Sequence, residues 1–71
     1  MLFKRRFRSK RIISKSRIGV IYSITIKLSR NREKELFIDK SQFDSVILGA
    51  FYNLKVDRNG FVSNATLLNK I

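Results

Sequence analysis

From Ile18 to Leu28 every even-numbered residue is apolar (Ile18, Val20, Tyr22, Ile24, Ile26, Leu28), while the odd positions hold Gly19, Ile21, Ser23, Thr25 and Lys27. Successive side chains of an extended chain point to opposite faces. Period two sustained over this length therefore predicts a β-branched strand with one buried face and one mostly polar face. The stretch is far shorter than the ~18–20 apolar residues of a membrane span, and Ser23, Thr25 and Lys27 interrupt it.

Ser29-Arg30-Asn31-Arg32 breaks the alternation and Glu33 to Ile38 resumes it through Leu36 and Ile38, so a hairpin is expected. Beyond Ile38 the period changes. Ser41 with Asp44 three residues on has the form of a weak capping box. Phe43, Val46 and Ile47 fall at helical spacing, and Gly49 suits a left-handed stop, which predicts one short helix at about 41–47. Asn59-Gly60 then carries the signature of a two-residue type I′ turn. Pairing outward from it sets Val56 opposite Ser63, Leu54 opposite Ala65 and Tyr52 opposite Leu67, with Phe51, Asn53, Lys55 and Asp57 sharing the other face. Residues around Arg11–Ser14 are expected to add a fifth strand or to lengthen the first. Four to five strands in 71 residues are too few for a sandwich with a thick core, whereas a strongly curved sheet buries one face completely. The expected fold is mainly β: a small curved or barrel-like antiparallel sheet of four to five strands with one short helix.

The N-terminal stretch MLFKRRFRSKRIISKSR shows no such period and holds eight of the sixteen Lys and Arg residues and no acid. The net charge of +11 divides into +8 here and +3 over residues 18–71. Lys4, Arg5, Arg6, Arg8, Lys10, Arg11, Lys15 and Arg17 repel one another. Residues 1–11 are accordingly expected to be a flexible, disordered basic arm, and residues 12–71 a single small β-barrel-like domain. Phosphates would relieve the repulsion, and Phe3 and Phe7, interleaved with the cations, suit stacking on exposed bases. Six contacts to duplex phosphates would give log K against log salt a slope of roughly −5. No predicted helix is long enough, or suitably lined, to read bases in a major groove, so binding would be nearly sequence-blind.

Phe37, Phe51 and Phe61 have the parity opposite to the core residues of their strands and are expected to be exposed. Beside Lys27, Arg30, Arg32, Lys34, Lys55 and Arg58 they would make a stacking platform for single strands, or else cover a contact with a partner or a second copy. Asp57-Arg58-Asn59-Gly60 is a turn and not a calcium loop, because Phe61, Val62 and Ser63 occupy the later ligand positions.

Histidine and cysteine are both absent, which removes the usual general base, the thiolate nucleophile and the commonest metal ligands. No enzymatic activity, cofactor, metal or small-molecule substrate is expected, and a cytoplasmic location is the default for a cysteine-free chain with no secretory signal.

The text Tyr22-Ser23-Ile24-Thr25-Ile26, Glu35-Leu36-Phe37-Ile38, Phe43-Asp44-Ser45-Val46-Ile47-Leu48-Gly49 and Tyr52-Asn53-Leu54-Lys55-Val56 resembles the strands, helix end and final hairpin of small SH3-like or OB-like β-barrel domains of uncharacterised bacterial proteins. The resemblance covers about residues 10–68 and implies a fold, with no catalytic residue or cofactor. The expected function is that of an accessory protein, bacterial or phage-like in scale, binding DNA or RNA with low sequence specificity. The arm, Arg30, Arg32, Phe37, Phe51 and Phe61 would carry that binding. Two other readings stay open: a protein-interaction or assembly module, homodimeric or with another protein, whose arm is only a tether; and attachment to an anionic membrane surface through Leu2, Phe3 and Phe7.

Overall fold

The structure, a computed structural model, describes residues 5–69, so Lys4, Leu2 and Phe3 lie outside the described residues. The period-two run forms a strand that starts later than its pattern suggests. β1 spans Arg5–Ile18 and β2 spans Ile21–Ser29, joined by a tight turn at Gly19-Val20 that sets Ile18 opposite Ile21. Gly19, with φ of +61°, supplies the left-handed conformation such a short connection needs. Ile24 and Ile26 are fully buried, as the alternation predicts, but Ile18 and Val20 are 77 % and 89 % exposed. The turn takes them off the face they were expected to join.

Residues 5–11, expected as most of a disordered arm, instead form the first half of β1. They pair with β4, Phe51–Val56, with Phe7 opposite Leu54 and Arg11 opposite Phe51. Phe7 is buried in the core. The second half of β1 turns to β2, with Ser14 opposite Thr25 and Arg17 opposite Tyr22. Two register shifts lie along this strand, between Phe7 and Lys10 and between Ile12 and Ser14. At the first, Ser9 has φ of 52° and its backbone N–H donates to Asn53 Oδ1 at 2.9 Å.

β3, Arg32–Ile38, pairs with β2 through the expected hairpin. Helix α1 covers Lys40–Ser45, shifted from the expected 41–47. Its cap is Asp39 and not Ser41: an Asp39 carboxylate oxygen accepts from the Gln42 backbone N–H at 2.8 Å. β4 and β5, Val62–Asn69, keep the expected pairs Leu54 with Ala65 and Tyr52 with Leu67, but Val56 meets Val62 where Ser63 was expected. The cause lies in the turn. Only Gly60 there has positive φ, the Gly60 N–H donates to the Asp57 carbonyl at 3.1 Å, and Asp57 Oδ1 accepts from the N–H groups of Asn59 and Phe61. This is a type I turn followed by a left-handed glycine, with aspartate at its first position, in place of the type I′ turn read from Asn-Gly alone.

The five strands form one antiparallel sheet in the order β3-β2-β1-β4-β5. It curls until its outer strands meet at a single parallel bridge, Phe37 with Phe61, where the Phe37 N–H donates to the Gly60 carbonyl at 2.9 Å. One such contact leaves the sheet open, not closed into a barrel. Ile12, Ile24, Ile26, Leu36, Leu54, Val56 and Val62 fill the concave side, each under 2 % exposed. Burial of this apolar set is the main favourable term for so small a domain.

Candidate nucleic-acid interface

All five acidic residues lie outside β1, β4 and β5: Glu33 and Glu35 on β3, Asp39 and Asp44 at α1, and Asp57 in the last turn. Those acids are largely engaged locally. Glu33 lies 3.8 Å from Lys27, Glu35 accepts from the Ser23 hydroxyl, Asp44 pairs with Lys40 at 3.0 Å, and Asp39 and Asp57 hold backbone N–H groups. The Asp44 hydrogen bond, followed by its charge, raises the pKa of Lys40 above the ordinary lysine value.

The outward positions of the first half of β1 and of β4 therefore carry cations without local compensation, beside the neutral polar Asn64 and Thr66 of β5. Because Phe7 and Leu54 pair on the core side, their neighbours Arg6 and Lys55 pair on the convex side, and Lys55 in turn faces Asn64. One step along, Asn53 faces Thr66, and beyond it Arg11 faces Phe51. Arg6, Arg8, Asn53, Lys55, Asn64 and Thr66 line a shallow groove of about 310 Å³, and Phe51, 41 % exposed, stands farther along the same face. Opposed like charges oppose strand pairing. The Arg6–Lys55 pair is thus a local cost that an anion would remove.

The structure gathers some of the expected site residues and disperses others. Arg6, Arg8, Arg11 and Phe51 share this face. Arg5 lies opposite Val56, its guanidinium 5.3 Å from the centre of the Phe7 ring. Lys10 faces the buried Tyr52 on the core side. The Lys15 Nζ donates to the Val46 carbonyl at 3.0 Å and lies over the Phe43 ring, while Arg17 donates to the Gly19 carbonyl and covers Tyr22. Lys15 and Arg17 are thus engaged within the fold. Arg30 and Arg32 stand at the β2–β3 turn, and Phe37 and Phe61, exposed as expected, meet at the seam between β3 and β5. Asn53, Asn64 and Thr66 were not among the expected site residues, and Lys55 was expected only as one of the cations beside the aromatic platform. Their signal was present, since the register of the last hairpin places them on the face of Phe51.

The seam carries a second, different surface: Val20, Ile21, Tyr22, Phe37, Ile38 and Phe61, with Asp39 and Lys40, line a groove of about 500 Å³. No protein-family model, curated protein or solved structure matches this chain.

Proposed function

We propose that this chain is a non-enzymatic accessory protein that binds nucleic acid with little sequence specificity through the convex face of β1, β4 and β5. The observation that carries this reading is the uncompensated row of Arg6, Lys55, Arg8 and Arg11 beside an exposed Phe51 on strands that contain no acid. Phosphates neutralise the cations, the Asn53, Asn64 and Thr66 side chains supply hydrogen bonds to sugar or phosphate, and Phe51 offers a stacking surface. The face has no helix to enter a groove, so base-specific readout has no carrier.

Five strands curled into a partly open sheet are compatible with the OB-like resemblance. OB-folds take oligonucleotides at the β2–β3 face and the β1–β2 and β4–β5 loops. Here that place is the apolar groove, whose one lining cation, Lys40, is already paired with Asp44. Nucleic acid is therefore assigned to the basic face instead.

Fluorescence anisotropy with a labelled oligonucleotide, repeated across salt concentrations, tests the reading. Four phosphate contacts predict a slope of about −3 in log K against log salt, and R6Q, R8Q or R11Q should each reduce its magnitude by about 0.7–0.9. Deleting residues 1–11 is the wrong experiment, because it removes half of β1. Absence of any salt-sensitive association below micromolar concentration would refute the proposal.

A further inference from the structure

Ile18, Val20 and Ile21 flank the β1–β2 turn at 77, 89 and 56 % exposure, and Phe37 and Phe61, at 41 and 40 %, border the same groove. Exposed apolar residues are common singly, but five together mark an interaction surface. Its charged neighbours are already engaged, Asp39 at the helix cap and Lys40 with Asp44, so among the described lining residues no charge is left to orient an ionic ligand. A second copy is a poor occupant: each molecule carries +11, and five side chains are few against the about 20–30 residues a side of a stable specific interface.

A surface that is negatively charged outside and apolar within fits both properties. We propose that the Gly19-Val20 turn, with Ile18, Ile21, Phe37 and Phe61, inserts shallowly into the headgroup layer of an anionic lipid bilayer. Positive charge brings the protein to the surface, and the apolar tip holds it there. Arg17, held by its bond to the Gly19 carbonyl at 3.2 Å and by the Tyr22 ring, is fixed two residues behind the turn. At ~3.3 Å per residue it stands about 7 Å back from the tip, level with the phosphates when the tip reaches the acyl boundary. This site shares no residue with the proposed nucleic-acid face.

The chain has no tryptophan, so V20W puts a unique reporter at the tip without touching the core. Mixed with vesicles of phosphatidylserine and phosphatidylcholine, its emission should move to the blue and be quenched by brominated lipid, whereas N31W at the β2–β3 turn should show neither effect. V20S combined with I21S, which removes the apolar tip without altering the charge, should lower vesicle co-sedimentation about tenfold while oligonucleotide binding is unchanged. Co-sedimentation without a V20W shift would mean attachment by charge alone and would overturn the proposal. So would self-association in light scattering that the double variant abolishes while vesicle binding persists, which would make the patch a contact between copies.

Discussion

Arg6 and Lys55 stand directly opposite each other in adjacent strands, an arrangement that costs roughly 0.2–1 kcal/mol in the free protein. Exchanging one of them for a neutral residue should therefore help the fold and harm the function. For K55Q we expect the thermal midpoint to rise by a few degrees and oligonucleotide affinity at moderate salt to fall about threefold to tenfold. Melting curves and anisotropy must move in opposite directions, and a fall in both would show that Lys55 supports the sheet. At this scale the site was partly legible. The parity that exposes Phe37, Phe51 and Phe61 follows from residues on either side of each, but which of them share a surface depends on strand order, and period carries no record of that.

Among the elements, β1 is the one the sequence conceals. The residues of β1 that pair with core-side positions of β2 and β4, Phe7, Lys10, Ile12, Lys15 and, at the exposed end, Arg17, follow no period because two register shifts reset the alternation, and three of the five are cations. A pattern search therefore finds only a charge block, and the expectation of disorder follows from the charges alone. At the first shift Ser9 holds a left-handed φ that costs a non-glycine residue about 1–2 kcal/mol. S9G should consequently stabilise the protein by about 0.5 kcal/mol, the relief being partly offset by the greater freedom of glycine in the unfolded chain, and a denaturant titration measures it. Helix α1 was legible in existence but not in its cap. Asp39 closes a strand and opens the helix at once, and D39A should cost about 1 kcal/mol in the same titration. The raised pKa of Lys40 adds a contribution that is complete below the ordinary lysine value and is lost only as pH climbs through the raised one. Because the pair is exposed it stays small, and near neutrality α1 has no pH dependence from this source.

For the whole molecule, the net charge of +11 makes stability and binding respond to salt with opposite signs. Added salt screens the repulsion among cations on the folded surface and should raise the melting temperature, while the same addition weakens polyanion binding. With no histidine or cysteine, no side chain of ordinary pKa titrates between about pH 6 and 9, and the side chains should leave both properties flat there, an α-amino group near pH 8 being the one group expected to change charge. A stepped binding profile that persists after the α-amino group is acetylated would show that a side chain of strongly shifted pKa controls the interaction. Fold class was legible at this scale because alternation and turn residues persist over β2 to β5. The openness of the sheet was not, since it rests on one bridge between residues far apart in the chain.

That β1 is shared by both halves of the sheet also orders events in time. Ser9 and its partner Asn53 are 44 residues apart, whereas the second half of β1 has β2 immediately after it. During synthesis β1 and β2 are made together, while Arg5 to Arg11 have no strand to pair with until Phe51–Val56 has been made. The most cationic part of the molecule is thus born unpaired, and translation is the interval in which it is most open to capture by other polyanions.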